Sequence, residues 1–146
     1  MKPIHIESSY IVNAPRETVH AIVTDFENMP KHFPSMAKSA RYIKRDGNKF
    51  EVELHMKSSG DKTVLMMMKG EVKPREGFIS TNTFSLGVER EVFKLEEVPE
   101  GTKISYIDDL EIKNPFLRLF GSFFVKKAVL RNLNNMIADL RLTVEK

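Results

Sequence analysis

Two charged residues interrupt apolar stripes of this 146-residue sequence. Asp108 lies on one face of an alternating segment whose other members are Ile104, Tyr106, Leu110 and Ile112. Lys126 interrupts a stripe with spacings of three and four whose other members are Phe116, Leu119, Phe123, Leu130, Leu133, Ile137 and Leu140. An unpaired buried ammonium is costly. We therefore expect Lys126 to face the interior and pair with Asp108 or Glu91. The alternatives are that Lys126 follows the helix edge to water and that Asp108 lies at a strand edge.

The segment around Glu91 leaves two orientations open. Glu91 points inward if Phe93 and Leu95 do, whereas Arg90 is the inward charge in the opposite phase, because a shift of one residue reverses every side chain. Hydrogen-bonding side chains that could orient a ligand in an apolar pocket occur at Tyr10, Asn82 and Tyr106. An acid and a base for a carbonyl substrate could come from Asp108, Glu91, Tyr106 and Lys126.

Several kinds of site are excluded or unsupported. The chain has no Cys, which rules out disulfides, thiolate metal sites and cysteine nucleophiles. It has no phosphate-binding loop and no paired-His spacing, so we expect no cofactor and no metal. Its 23 Lys and Arg against 20 Asp and Glu leave a net charge of +3, too little to indicate a nucleic-acid partner. No apolar leader precedes residue 4, and we expect a cytoplasmic location.

The order of the elements predicts an α+β fold. Alternation over residues 4–12 indicates a strand, and residues 15–25 have the spacing of a short amphipathic helix. Two prolines limit a second, broken helix within residues 25–34. Regular turns divide residues 37–112 into six strands of an antiparallel meander. We expect one domain, residues 1–146, with seven strands and two short helices after the first strand.

A long helix is predicted to close the chain. Asn114 and Pro115 are a strong helix start, and no proline follows. The helix approaches 30 residues, with a bend allowed at Gly121, and its residues Leu130, Leu133 and Ile137 are expected to be almost fully buried. The apolar run 64–68, with Met66 and Met68, is either ordinary core or a deformable ligand wall.

Apolar residues off the main helical stripe leave a further question open. Leu117, Phe120 and Phe124 either pack on the short helices, cover a cavity mouth, contact a partner or make transient contact with a lipid surface. The basic residues that could contact RNA are few and spread along the helix: Lys126, Lys127, Arg131 and Arg141. Solvated lysines explain them more simply.

The sequence resembles the START/polyketide cyclase (SRPBCC, helix-grip) superfamily, and within it the coenzyme Q-binding and polyketide cyclase/dehydrase branch. The resemblance is carried by Val12–Val19 leading into Thr24–Pro34, and by Phe93–Tyr106. His32 stands where many relatives have Trp, and the turn at 46–48 lacks the glycine-rich loop of the plant hormone-binding branch. The resemblance implies a curved seven-stranded antiparallel sheet wrapped around the C-terminal helix, with a cavity between them.

The resemblance also implies a function. Binding or transport of a small hydrophobic ligand, such as a lipid, an isoprenoid quinone or a polyketide-like molecule, is favoured over catalysis. The alternatives are a polyketide cyclase/dehydrase-type enzyme and a ribosome- or RNA-interacting protein. The candidate cavity residues are Tyr10, Met66, Met68, Asn82, Arg90, Glu91, Tyr106, Asp108, Phe123, Lys126 and Leu130. Oligomeric state does not follow from the sequence.

Overall fold

The computed structural model describes residues 3–58 and 60–145. The seven strands are β1 Ile4–Val12, β2 Ala37–Asp46, β3 Lys49–Lys57, β4 Thr63–Lys73, β5 Gly77–Phe84, β6 Gly87–Val98 and β7 Gly101–Ile112. The helices are α1 Arg16–Val23, α2 Met29–His32, α3 Pro115–Phe120 and α4 Ser122–Val144, and a 3-10 turn lies at Phe26–Asn28. The predicted α+β class and the order of its elements are confirmed.

All seven strands form one antiparallel sheet in the order β1-β7-β6-β5-β4-β3-β2. The meander accounts for β2 to β7, because each strand pairs with the next through a short connection. β1 pairs with β7, which places the first and last strands side by side and leaves β2 at the opposite edge. The predicted helix-grip arrangement, a sheet packed on the C-terminal helix, is therefore confirmed.

Aromatic rings fill one part of the inner face of the sheet. Phe26, from the 3-10 turn, lies 4.3 Å from Phe50 and 5.1 Å from Phe78 between ring centroids. Phe78 stacks on Phe93 at 5.4 Å, and Phe93 meets Tyr106 at 6.3 Å. Such contacts add to the free energy gained by burying the rings. They tie the segment after α1 to strands β3, β5, β6 and β7, and they end at Tyr106.

A close approach between β4 and β5 requires glycine at position 70. A Cβ atom on Gly70 would lie 2.1 Å from the carbonyl oxygen of Ile79 and 2.8 Å from Cα of Ser80. Those distances are far below van der Waals contact, so any side chain would push the two strands apart. Gly70 therefore allows β4 and β5 to approach each other closely where Gly70 is paired with Ser80.

The C-terminal helix is broken where one continuous helix was predicted. Asn114 caps α3 by accepting hydrogen bonds from the backbone N–H groups of Phe116 and Leu117, as its position before Pro115 predicts. α3 then ends at Phe120, with Gly121 as its C-cap, and α4 begins at Ser122. The allowed bend at Gly121 is thus a full interruption between a 6-residue and a 23-residue helix.

The apolar stripe of the C-terminal helices is buried only in its second half. Leu133 and Ile137 are 4% and 1% exposed, as predicted, but Leu130 is only half-buried. Four of the five residues 123–127 are exposed, so the first turns of α4 pack little on the sheet and a place on the stripe does not lead to burial there. In the second half of α4 the buried face also includes Met136, a residue outside the predicted stripe.

Candidate functional site

Six polar side chains meet on the inner face of β5, β6 and β7. We call them the carboxyl cluster; they are Ser80, Asn82, Glu89, Glu91, Tyr106 and Asp108. Asn82 and Asp108 are fully buried, and Glu89 is 8% exposed. Glu91 is half-buried. Three carboxyl groups in such a place are unusual, because acidic side chains are seldom taken out of water without a cationic partner.

The strand register places these side chains together. Asn82 is paired with Glu89 and Ser80 with Glu91 across β5 and β6. Glu91 is in turn paired with Asp108 across β6 and β7. Side chains directly opposite each other on one face of an antiparallel sheet have Cβ atoms about 5 Å apart. The cluster is therefore a consequence of pairing between three neighbouring strands.

Hydrogen bonds join each carboxyl group to a neutral donor. The Asn82 Nδ2 group donates to Glu89 Oε1 at 2.9 Å, and the Ser80 hydroxyl donates to Glu91 Oε1 at 3.1 Å. The Tyr106 hydroxyl donates to Asp108 Oδ2 at 3.2 Å. Within the part of the chain that the structure describes, no Lys or Arg forms an ion pair with any of the three carboxyl groups.

Burial raises the pKa of all three carboxyl groups. The pKa of Glu91 rises to about 7, because burial disfavours the charged form and the neighbouring charge of Glu89 adds to the effect. Burial and then Asp108 raise the pKa of Glu89, while burial raises that of Asp108 and a hydrogen bond from Glu89 lowers it. The pKa of Glu89 rises to about 8 and that of Asp108 to about 6, so Glu89 is the one of these two groups that keeps its proton at neutral pH. At neutral pH the cluster offers both donors and acceptors.

One acceptor of the cluster is left without a donor. Asn82 Oδ1 is buried and has no hydrogen-bond partner among the described residues. Asp108 Oδ1 has no hydrogen-bond donor either, but the carboxyl group of Glu89 can donate a hydrogen bond to it when Glu89 is protonated. An unpaired buried carbonyl costs about 1–3 kcal/mol. The amide of Asn82 is thus set to accept a hydrogen bond from a group outside the described chain.

The structure decides between the two orientations of β6. Glu89, Glu91, Phe93 and Leu95 point inward, while Arg90 lies exposed on the outer face, 3.6 Å from Glu111. The alternative in which Arg90 is the cavity cation is wrong, because the phase of β6 is set by burial of Phe93 and Leu95 in the core.

The expectation that Lys126 is buried and paired is also wrong. Lys126 is exposed, and none of the ion pairs among the described residues includes it. Phe123, another cavity candidate, is 68% exposed. Both lie in the first turns of α4, where most side chains are exposed. Leu130 is half-buried and packs against Ile4, Ile6, Leu110 and Ile112.

The remaining cavity candidates lie on the inner side of the molecule. Met66 and Met68 are buried on β4, and Met68 is paired with Asn82. Tyr10 is half-buried, and its hydroxyl donates to Asn134 Oδ1 on α4 at 2.7 Å. Tyr10 therefore joins β1 to the helix, and its hydroxyl is already engaged.

Sequence reasoning did not select two members of the cluster, Ser80 and Glu89. Glu89 has the same parity as Glu91, so the correct phase of β6 would have found it. Ser80 carries no such signal, because an alternating small polar residue in a strand is as common on the outer face. Its place opposite Glu91 follows only from the register between β5 and β6.

Two surface depressions lie away from the carboxyl cluster. One of about 450 Å³ is bordered by the residues Pro30, Pro34, Ala37, Lys38, Lys57, Gly60, Asp61, Lys62 and Thr63. One of about 100 Å³ lies beside the β2–β3 turn and includes Tyr42 and Arg45. Across residues 3–58 and 60–145, no group of three or more His, Asp or Glu side chains has an arrangement that could hold a metal ion.

Comparison with known protein families gives one match that covers almost the whole chain. The family described as polyketide cyclase/dehydrase and lipid transport matches residues 3–145. No curated protein matches the sequence.

Solved structures share the fold at low sequence identity. The protein TTHA0849 of Thermus thermophilus has a TM-score of 0.81 at 16% identity, with 94% of each chain covered. A START superfamily protein of Mycobacterium smegmatis has 0.80 at 20% identity, with 97% of each chain covered. The di-domain ARO/CYC protein StfQ of the steffimycin biosynthetic pathway has 0.86 at 11% identity. That match covers 99% of this chain and 51% of StfQ.

Proposed function

The chain belongs to the polyketide cyclase/dehydrase and lipid transport family, and we propose that it binds a small, uncharged hydrophobic molecule between the sheet and α4. The polar end of the ligand carries a hydroxyl group that donates to the carboxyl cluster. The apolar part lies against the inner face near Met66 and Met68, side chains that adapt to irregular shapes.

The observation that carries this proposal is the unpartnered oxygen of Asn82. Its Oδ1 atom is buried at the centre of three strands with no donor among the described residues. Its own Nδ2 group is held by Glu89, which fixes the direction of the amide. A ligand hydroxyl at this position would supply the missing hydrogen bond and remove the cost of the unpaired carbonyl.

The protonation states of the carboxyl cluster further restrict the class of ligand that can bind. A fatty-acid or other carboxylate group would meet three acidic side chains and, among the described residues, no inward cation, so its charge would be repelled. A quinone has carbonyl acceptors, to which protonated Glu91 could donate, but it has no donor for Asn82. A molecule with both hydroxyl and carbonyl groups satisfies the whole cluster. Polyketide-like phenols and enols have this chemistry.

Ligand access requires movement of the first half of α4. Val125, Val129 and Leu130 are half-buried and pack against an apolar group formed by β1 and β7. That group includes Ile6, which is paired with Asp108 of the cluster. The packing is less complete than at Leu133 and Ile137, so this half of the helix separates from the sheet at a lower cost.

Calorimetry with three ligands of one ring skeleton tests the proposal. Naphthol offers a donor, naphthoquinone offers acceptors only, and naphthoate is an anion at neutral pH. We expect naphthol to bind about 10-fold more tightly than naphthoquinone, the value of one buried hydrogen bond, and naphthoate to bind weakest. Equal affinity for all three ligands, or tightest binding of naphthoate, would contradict the proposed ligand class.

Adjacent aspartates provide a matched pair of variants. Asp108→Asn changes the cluster, whereas Asp109→Asn changes the outer face, where Asp109 contacts His5 at 2.6 Å. We expect Asp108→Asn to weaken naphthol binding about 10-fold and Asp109→Asn to leave it unchanged. If both substitutions have the same effect, the ligand does not lie at the cluster.

A second candidate function is proton-transfer catalysis of the cyclase/dehydrase type. The observation that favours it is a pKa of about 7 for Glu91 beside the Tyr106 and Asp108 side chains, since an acid–base group works best when its pKa is near ambient pH. The test is dehydration of a β-hydroxy ketone followed by ultraviolet absorbance. Wild-type turnover that Glu91→Gln abolishes would support catalysis, and absence of turnover with retained binding would favour a binding protein.

A further inference from the structure

Large apolar side chains are exposed together on α3 and the first turn of α4. We call this surface the aromatic patch; its residues are Phe116, Leu117, Leu119, Phe120, Phe123 and Phe124. All except Leu117 are 64–73% exposed. Phe116 and Phe120 contact each other, as do Phe123 and Phe124, with ring centroids 4.9 and 5.7 Å apart. A contiguous patch of this kind marks an interaction surface.

The charged residues of the segment that carries the aromatic patch all have one sign. Residues 113–138 contain no Asp or Glu, and their basic residues are Lys113, Arg118, Lys126, Lys127 and Arg131. This segment alone carries a charge of +5, whereas the whole chain has +3. The basic side chains therefore concentrate where the aromatic rings are exposed.

We propose that the aromatic patch docks on an anionic lipid surface. Aromatic and leucine side chains beside Lys and Arg are the composition of a segment that lies in the interface between head groups and acyl chains, and each basic residue near such a surface contributes about 1 kcal/mol. No helix in the described part of the chain is long and apolar enough to cross a membrane. The contact is consequently peripheral, made by the α3–α4 segment.

Charge argues against a second copy of the chain as the occupant. A symmetric dimer through this patch would place the same surface on both sides, bringing five basic residues of each copy against five of the other. Like charges at an interface are unfavourable. An anionic lipid surface covers the same rings with charges of the opposite sign.

The patch is close in the fold to the strands of the carboxyl cluster. The backbone N–H of Lys113, just before α3, donates to the carbonyl oxygen of Leu86 in the β5–β6 turn at 2.9 Å. Leu86 is 51% exposed and extends the apolar surface. The β5–β6 hairpin also carries Asn82 and Glu89. Lipid contact would therefore take place at the end of the sheet where the cluster lies.

Co-sedimentation of the full chain with vesicles tests the lipid proposal independently of ligand binding. We expect binding to vesicles of phosphatidylglycerol and phosphatidylcholine, little binding to phosphatidylcholine alone, and release at about 1 M NaCl, where the screening length is about 3 Å. The double variant Lys126→Gln with Lys127→Gln should lower partitioning about 30-fold. The matched variant Lys69→Gln with Lys94→Gln on the sheet should leave it unchanged.

A second pair of variants separates apolar insertion from charge. Phe120→Ser with Phe124→Ser should lower vesicle partitioning about 20-fold or more, whereas Leu142→Ser, an exposed apolar position at the far end of α4, should not. All these side chains are exposed, and circular dichroism checks that the variants fold. Absence of binding to anionic vesicles at low salt overturns the proposal. So does a dimer in solution that the phenylalanine variant dissociates.

Discussion

The carboxyl cluster holds two buried carboxyl groups, Glu89 and Asp108, and the half-buried Glu91, with no ion-pair partner among the described residues. These groups make the stability of the folded protein depend on pH. An acid whose pKa is raised in the folded state binds more protons when folded than when unfolded. Between the two pKa values the free energy of unfolding therefore falls as pH rises. The groups that face Glu91 are Ser80, Asn82, Glu89, Tyr106 and Asp108, none of which brings a positive charge.

The substitution Glu91→Gln should flatten the pH dependence of stability. The pKa of Glu91 is about 7 when folded against 4.5 as the ordinary value. Wild-type stability should thus fall by about 2–3 kcal/mol between pH 4.5 and 7 through this residue. Urea unfolding should show the variant equal to wild type near pH 4.5 and more stable at pH 8. Glu111→Gln, on the exposed outer face, is the control. A variant that is less stable than wild type at pH 8 would contradict a raised pKa of Glu91 in the folded protein.

Four of the six members of the carboxyl cluster are among the candidates that the sequence indicates: Asn82, Glu91, Tyr106 and Asp108. Asp108 interrupts an apolar strand face, a signal that depends only on parity within a strand, whereas Asn82 and Tyr106 are hydrogen-bonding side chains that could orient a ligand. Lys126 interrupts a stripe of a helix in the same way, but four of the five residues 123–127 are exposed, because this part of α4 packs little on the sheet. Alternation in a strand has only two phases, so strand predictions are either right or fully reversed, as the pair Arg90 and Glu91 illustrates.

At the scale of elements, α4 is held to the sheet by its second half. The substitution Leu133→Ala should lower the free energy of unfolding by about 2–5 kcal/mol, because Leu133 is 4% exposed and a cavity would remain. Leu142→Ala, 73% exposed on the same helix, should change it by less than about 0.5 kcal/mol. Urea melts measure both. A small loss for Leu133 would mean that the helix packs elsewhere.

Strands β4 and β5 depend on Gly70 for their close approach. A methyl group there would overlap the backbone of Ile79 and Ser80, so Gly70→Ala should destabilise the protein by about 1–3 kcal/mol or more. It should also displace Ser80 from Glu91 and weaken naphthol binding. Thr81→Ala, exposed on the outer face, provides the comparison. Thermal melts and calorimetry that find no difference between the two variants would show that the strands separate without cost.

The order of strands and helices followed from the sequence because turns, periodicity and the Asn114–Pro115 start are local signals. The break at Gly121 did not, since a glycine costs only about 1 kcal/mol in a helix interior and tertiary packing decides whether the helix continues. The close approach of β4 and β5 at Gly70 likewise depends on residues of the neighbouring strand, Ile79 and Ser80.

For the whole molecule, the incomplete packing of α3 and the start of α4 predicts where the fold opens. Side chains of 116–127 are mostly exposed, whereas Leu133, Met136, Ile137 and Leu140 are buried. Regions with few buried contacts open at a lower free energy. Backbone amides of 116–127 should therefore exchange with deuterium faster than those of 133–140, as measured by mass spectrometry. Equal protection along the helix would contradict separation of its first half.

Ligand binding should slow the opening of residues 116–127 and also raise the free energy of unfolding of the whole chain. A ligand that binds only the folded state adds RT ln(1 + [L]/Kd), about 2.7 kcal/mol at one hundred times Kd, which in a domain of this size raises Tm by about 5–10 °C. Because the proposed site lies under the first half of α4, naphthol should also slow exchange at residues 116–131, while Asp108→Asn should reduce both effects and Asp109→Asn neither. A rise in Tm with protection confined to the β2–β3 edge would instead place the ligand in the depression beside Tyr42, away from the carboxyl cluster.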